Sequence, residues 1–362
     1  MDNRENQITS SQLMGVVISI QLGMAVLSLP AYLAIASGHD GWISVLLFGT
    51  IITALISIII KLMNRYDNQS IYEINKFLYG KYLGSLLNLA IVFYLWYSGC
   101  LCLRTYTNVL HIHLLRLTPT LILCIMTLIP TFYLTWYGLK YVARFTFMIY
   151  ISLTFCCILF FLVFKYLRLT FLMPIGVSGL DGIKASFKPC IYAFLGYEVI
   201  SVIYPEITNK QKTMKYALGA NIITTIFLII LVLVTTSFFG EEMLKRSIYP
   251  IIKLARSYEA PVLERIDLTF ICFWLPAMSM ATRGYFSIAY YSIHKLLNLK
   301  KKAIHLIVFT CITIFLSSLP QSNSQLDVYN NVMTVSGTLF TIFLVICYLF
   351  SFIRKNGVKP HV

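Results

Sequence analysis

Acidic residues are scarce in this sequence of 362 residues: Asp and Glu number 14 against 29 Lys and Arg. All charged residues together make up only 12% of it. With 58% hydrophobic residues and a mean hydropathy of +0.78, that shortage excludes a soluble domain of this length. No Pro-, Ser- or Gly-rich linker divides the chain, so residues 1–362 read as a single transmembrane domain. The nine cysteines include no CxxC pair, and most of them (Cys100, Cys102, Cys124, Cys156, Cys157, Cys272, Cys311 and Cys347) lie in apolar stretches. They read as small buried hydrophobes with no disulfide expected. Phosphate loops, nucleophile elbows and paired catalytic carboxylates are missing too, Glu241-Glu242 being a solvated loop pair. His111 and His113 stand two apart, which puts their rings on different helix faces and argues against a metal. No enzyme activity, cofactor or metal is therefore expected. The opening stretch from Met1 to Thr9 lacks the basic region and cleavage site of a secretory signal, so the first span is expected to be retained.

What the chain has in abundance is apolar runs long enough to span a bilayer, which takes roughly 20 helical residues. They fall at 11–36, 42–63, 83–112, 119–137, 144–165, 186–207, 216–239, 266–292, 303–319 and 333–353. An all-α polytopic membrane protein with about ten transmembrane helices follows. An even number of spans puts both termini on one side, and lysine and arginine decide which. Arg4, the loops carrying Lys61 to Lys81, Lys140 and Arg144, Lys210 to Lys215 and Lys295 to Lys302, and the tail with Arg354, Lys355 and Lys359 give about 17 on that side, against about nine opposite. The short termini, 1–10 and 354–362, are therefore expected in the cytoplasm. The net charge of +15 is scattered over these loops, which suits contact with anionic lipid headgroups rather than nucleic acid. Lys300-Lys301-Lys302 is an anchor of the same kind, and Trp42 and Trp136 sit near span ends as interfacial aromatics.

Two short interruptions stand out: Gly23-Met24-Ala25 in the first span and Phe194-Leu195-Gly196-Tyr197-Glu198 in the sixth. Non-helical backbone at membrane depth is tolerated only where protein or a water-filled cavity satisfies its polar groups. Gly23, Ser28 and Pro30 lie close together, so the first helix is expected to stop after about residue 22 and restart near Val26 with unpaired N–H groups. In the sixth, Gly196 permits the break and Glu198 adds a carboxylate. Pro205 with Glu206 then ends the helix before Lys210, Lys212 and Lys215. Glycine is also a close-packing residue of membrane helices, but matched breaks with an acid favour a central binding site between two repeats of five spans.

At these residues the chain resembles the B-subunit family of spore germinant receptors, the GerAB-like branch of the amino acid/polyamine/organocation superfamily. The resemblance rests on Asp40-Gly41-Trp42, Arg104, Phe194-Leu195-Gly196-Tyr197-Glu198-Val199 running on to Tyr204-Pro205-Glu206, Tyr249-Pro250 and Glu264-Arg265. It covers nearly the full length, and the stretch from Phe194 to Glu206 followed by lysines is its most specific part. It implies a LeuT-like fold, a 5+5 inverted repeat with broken helices 1 and 6. It further implies a receptor of the spore inner membrane that senses a small nutrient, commonly an amino acid, together with an A subunit and a lipoprotein C subunit.

An amino acid at membrane depth needs both its charges neutralised. The N–H groups around Gly23, Met24 and Ala25 are expected to take its carboxylate, and the carbonyls of Phe194, Leu195 and Gly196 its ammonium. Glu198 either assists electrostatically, holds the broken segment, or pairs with Arg104 or Arg283. Tyr94, Ser98, Met278 and Ser279 are candidates for selectivity, with ordinary helix packing as the alternative for each. Arg104, Pro205, Glu206 and Arg283 are expected in structural or coupling roles. The resemblance implies that proton-coupled permeases related to this chain carry a basic residue in the middle of the fifth span, and Phe145 to Phe164 has no lysine, arginine or carboxylate, which argues against proton coupling. Ser279 and Thr282 leave a sodium site near Ala25 and Val26 open. A ligand-sensing receptor is the first expectation and an amino-acid permease of the same superfamily the second.

Overall fold

In the computed structural model, residues 5–257, 265–297, 302–320 and 322–354 are described, without the side chains of Met24, Asn323 and Arg354. Glu264, Arg4, Lys300, Lys301, Lys355 and Lys359, which carried parts of the motif and charge readings, lie outside them. Among the described residues each expected span falls on a helical rod. The elements are α1 (Ser10–Ser37), α2 (Gly41–Arg65), α3 (Ile71–Tyr79), α4 (Lys81–His113), α5 (Thr120–Tyr137), α6 (Leu139–Phe145), α7 (Met148–Val163) and α8 (Gly179–Ala185). They continue with α9 (Phe187–Phe194), α10 (Ile200–Ile203), α11 (Thr213–Phe239), α12 (Glu241–Lys245), α13 (Pro250–Arg256), α14 (Ile266–Leu297), α15 (Lys302–Ser318) and α16 (Asn323–Arg354). Among the described residues, six helical stretches are long and apolar enough to cross a membrane by length and composition. The protein is a multi-pass membrane protein.

Local sequence sets the ends of these rods. Thr9 caps α1 and forms a reciprocal box with Gln12, satisfying N–H groups that the first turn leaves unpaired. Polar residues at the start of α16, including Asp327 and Asn330, continue that helix outward, so it begins ten residues before the expected 333. Packing orders the rods into layers. Leu13, Val17, Ile18, Leu22, Val26 and Leu33 of α1 are fully buried, as is almost the whole stretch 277–292 of α14. Helices apolar on every side belong at the centre of a bundle. At the periphery, Ile129 of α5, Phe161 of α7, Phe315 of α15 and Leu339 of α16 are 61% to 81% exposed, a surface made for lipid.

The expected break in the first rod does not occur: α1 is one continuous helix from Ser10 to Ser37, through Gly23. A Cβ on Gly23 would lie 2.9 Å from Ala281 Cβ and 3.3 Å from the Ala277 carbonyl oxygen. The glycine is there to let α1 approach the Ala277-x-x-x-Ala281 face of α14, the small-residue mode of membrane helix packing.

Loops gather at two ends. At the end holding the N-terminal segment, Ile8 N–H donates to the Glu206 carbonyl at 3.0 Å, Thr208 N–H to the Ile8 carbonyl at 3.0 Å, and Tyr204 OH to Asn64 Oδ1 at 2.6 Å. There Glu73 of α3 meets Lys295 Nζ at 3.1 Å and accepts the Ser70 N–H at 2.7 Å. Burial opposes ionisation of Glu73, but Lys295 and the Ser70 groups outweigh it and hold the carboxyl below the usual glutamate range. At the far end Asp40 accepts N–H groups from Gly176 and Ser178, both at 2.9 Å, joining the α1–α2 turn to the segment before α8. Lys245 holds Glu241 below its usual range, against the opposing effect of burial and with help from His39.

A carboxyl lowered on folding contributes stability that is present above its unfolded pKa and lost as pH falls through the folded value. Glu73→Gln keeps the cap geometry and loses the Lys295 pair, so it is expected to cost less than about 1 kcal/mol at pH 7. Glu73→Ala loses both and is expected to cost about 1–2 kcal/mol. Thermal unfolding of the purified protein in detergent reads both, and the difference between wild type and Glu73→Gln should shrink as pH drops below the glutamate range.

Candidate functional site

The sixth rod breaks where expected. After α9, Leu195 is extended, with φ −57° and ψ 145°. Gly196 takes φ +122°, a conformation that side chains rarely adopt. A 3₁₀ turn over Tyr197–Val199 then leads into α10. Glycine is required twice over, because a Cβ here would also lie 2.5 Å from Ile20 Cγ2 of α1. The break strands polar backbone groups, and side chains collect them. Gln21 Nε2 donates to the Phe194 carbonyl at 3.0 Å, and Gly196 N–H donates to Glu198 Oε2 at 2.7 Å.

Glu198 is fully buried, and its second oxygen accepts Tyr94 OH at 2.8 Å and Tyr285 OH at 2.9 Å. The carboxyl thus ties the break to α4 and α14 through one peptide N–H and two phenols. Gln21 reaches on to Asn221 Oδ1 at 3.3 Å, and Asn221 Nδ2 donates to the Gly49 carbonyl at 2.9 Å, extending the network into α11 and α2. The expected ion pair of Glu198 with Arg104 or Arg283 is absent among the described residues, because neutral hydroxyls and a backbone donor already fill its acceptor positions. Arg283 instead stacks over Phe145 at 4.9 Å and donates to Met280 Sδ at 3.4 Å. Holding the broken segment is the role its contacts give Glu198.

The structure brings Tyr94, Phe194, Leu195, Gly196 and Glu198 together, and packs them tightly. A Cβ on Gly337 of α16 would meet Leu195 at 2.5 Å and Tyr94 OH at 2.9 Å. Gly23 and Ala25 are buried in helix, so their N–H groups are not the anion cradle expected of a helix start. The Phe194 carbonyl already accepts one hydrogen bond, from Gln21. Ser98 Oγ donates to the Tyr94 carbonyl and Ser279 Oγ to the Pro276 carbonyl, each within its own helix, and Met278 is buried beside Leu27, Val109 and Trp274. Pro205 and Glu206 lie at the N-terminal end, where Tyr291 OH donates to Glu206.

Open space lies on the opposite side of the break. A cavity of about 310 Å³ is lined by Ser28 and Tyr32 of α1, Thr105 and Asn108 of α4, Tyr192 of α9, Lys245 of α12 with Arg246 and Tyr249 after it, and Asp327 and Asn330 of α16. Tyr192 stands four residues, about one turn, ahead of Gly196. Asp327 Oδ1 accepts Tyr32 OH at 2.9 Å, while Lys245 is engaged by Glu241 at 2.6 Å. Thr105 Oγ1 and Asn330 Oδ1 are buried with no hydrogen-bond partner among the described residues. Sequence reasoning did not place Asp327 and Asn330 at the site because they fall between the expected spans 303–319 and 333–353 and read as loop. A polar face on the first turns of the tenth rod was the available signal.

A family model described as "Spore germination protein" matches residues 7–326. Among curated proteins, spore germination protein GerQB of Bacillus cereus is 28% identical over 284 residues, covering 77% of this chain and 79% of that protein. Spore germination protein B2 of Bacillus subtilis (strain 168) is 25% identical over 365 residues, covering 98% of each. Among solved structures, MhsT in complex with L-phenylalanine aligns with a TM-score of 0.64 at 12% identity, covering 97% of this chain and 99% of that one. A substrate-bound outward-open Na+-coupled sialic acid symporter aligns with the same TM-score at 13% identity, covering 93% and 78%. The chain has the LeuT-type fold.

The two glycines at the break and the α1–α14 seam separate strain from packing. Gly196→Val, which meets both a positive φ and a clash, is expected to lose about 2–5 kcal/mol. Gly23→Val, which meets only the Ala277–Ala281 face, is expected to lose about 1–3 kcal/mol. Gly219→Ala, with open space around it, should be neutral or stabilising. Thermal unfolding without any added ligand measures all three; an unchanged Gly23→Val protein would contradict the packing role.

Proposed function

The chain belongs to the spore germination protein family, and from that premise we propose that it is the B subunit of a germinant receptor. In this reading it binds a small nutrient, an amino acid, in the cavity beyond the sixth-rod break. It lies in the spore inner membrane with both termini in the cytoplasm, acts as one transmembrane unit, and signals through A and C subunits. The observation that carries the reading is a polar cavity next to an unwound helix. Its volume is at the lower end of the roughly 300–1,000 Å³ usual for small-molecule sites, and two buried polar atoms on its wall, Thr105 Oγ1 and Asn330 Oδ1, lack partners among the described residues. An amino acid supplies what the wall lacks. Its ammonium suits Asp327, its carboxylate suits Arg246 at the rim, and its remaining N–H and carboxylate acceptor groups suit Asn330 and Thr105. That the solved structure of MhsT holds L-phenylalanine supports this ligand class.

Coupling follows from the break. A ligand held against Tyr192 presses on α9, and Gly196 is the joint between α9 and the Glu198-locked segment. The resulting shift can be no larger than the ligand's differential affinity for the two arrangements. A permease of the same fold is the second reading, favoured by the likeness to a Na+-coupled symporter.

Labelled amino-acid binding and uptake by the purified protein in liposomes, with and without proton or sodium gradients, separates the two. Saturable binding without gradient-driven accumulation is the expected result; concentrative uptake would make the protein a permease. Asp327→Asn is expected to weaken binding about tenfold, the worth of a charge-assisted hydrogen bond. Glu198→Gln, which sets an amide donor against the Gly196 N–H, is expected to lower the melting temperature while leaving affinity within about threefold. Binding lost in Glu198→Gln but intact in Asp327→Asn would move the site to the packed break.

A further inference from the structure

A second cavity, of about 190 Å³, lies on the flank between α4, α15 and α16. Phe93, Trp96, Tyr97, Leu101 and Leu319 form its walls and Arg104 closes it. The walls are apolar in effect as well as in type. Trp96 Nε1 donates to Thr313 Oγ1 at 2.8 Å and Tyr97 OH to the Tyr329 carbonyl at 3.0 Å, so both aromatic handles are spent within the protein. Phe93 is 59% and Leu319 45% exposed, so the mouth opens on the lipid-facing surface and not toward the polar cavity.

Among the described residues Arg104 has no counter-charge. It is 7% exposed, its Nε is buried without a partner, and among the described residues it forms no ion pair. A buried guanidinium in a membrane helix is costly unless an anion meets it. Its depth says which anion. Taking the middle of the 33-residue α4, near Tyr97, at the bilayer midplane places Arg104 about 10 Å out, within reach of the headgroup boundary at about 15 Å. Phe93 and Trp96 then lie close to the midplane, where an acyl chain would run.

We propose that this groove binds one anionic phospholipid, its phosphate on Arg104 and an acyl chain along Phe93, Trp96 and Leu101. Charge at the outer end and apolar wall toward the midplane match the polarity of a lipid in the leaflet away from the termini. The site is separate from the nutrient cavity and does not depend on it.

Native mass spectrometry and thermal unfolding of the full chain in detergent, titrated with dioleoyl phosphatidylglycerol, test the proposal. One tightly retained phosphatidylglycerol that raises the melting temperature is expected, with dioleoylglycerol, which lacks the phosphate, at least about tenfold weaker. Arg104→Gln and the mouth-filling Leu319→Trp should each weaken retention about tenfold and abolish the thermal shift. Equal retention of the two lipids, tighter binding of oleate, or unchanged retention in both variants would overturn it, as would no saturable lipid binding by the unaltered chain. If Arg104→Gln does not purify as a monodisperse protein, undiminished retention by Leu319→Trp alone is sufficient to overturn it.

Discussion

A backbone that leaves its helix inside a membrane has no water to turn to, and the arrangement of this bundle around the sixth rod follows from that constraint. The stranded N–H of Gly196 needs an acceptor within reach, and Glu198 supplies it two residues later. A carboxyl at that depth then needs donors of its own, which fixes Tyr94 on α4 and Tyr285 on α14 around it. The stranded Phe194 carbonyl fixes Gln21 on α1, and Gln21 in turn reaches Asn221 on α11. One broken helix thus sets polar positions on four others. Each of these groups would be expensive if its partner were removed, so the network specifies the packing of the bundle more than it adds to its stability.

How far the sequence could be read depended on whether a signal was local. Long apolar runs locate the rods because a bilayer needs length and hydropathy in one segment, and each expected run lies on a helical rod, the sixth of them broken at Leu195 and Gly196. The sixth-rod break was legible because glycine, a following acid and a terminating proline stand within about ten residues of each other. The first-rod break was misread because a glycine that bends a helix and one that admits a neighbour look alike: both dispense with a Cβ. What separates Gly23 from Gly196 is the other helix, Ala277 and Ala281 for one and Ile20 with a positive φ for the other.

The partners of Glu198 were out of reach for the same reason. Charge matching suggested arginine, but the donors are phenols 104 and 87 positions away in the chain. In the cavity beyond the break, Asp327 and Asn330 lie on the outward extension of α16, where low hydropathy reads as loop. Hydropathy detects what faces lipid, and a polar lining facing an enclosed space carries the opposite signature.

At the other end of the sixth rod, Ile8 is held between the carbonyl of Glu206 and the N–H of Thr208, while Ser10 N–H donates to Asn209 Oδ1 at 2.7 Å. This pairing splices the start of the first rod to the end of the sixth, like two levers pinned at one axle. Because α1 runs unbroken from Ser10 to Ser37, the splice ties the inner end of the broken sixth rod to a rod that crosses the whole bundle. The N-terminal segment is in this respect a strap: its hydrogen bonds at Ile8 and Ser10 hold together the ends of two rods that lie about 200 positions apart in the chain.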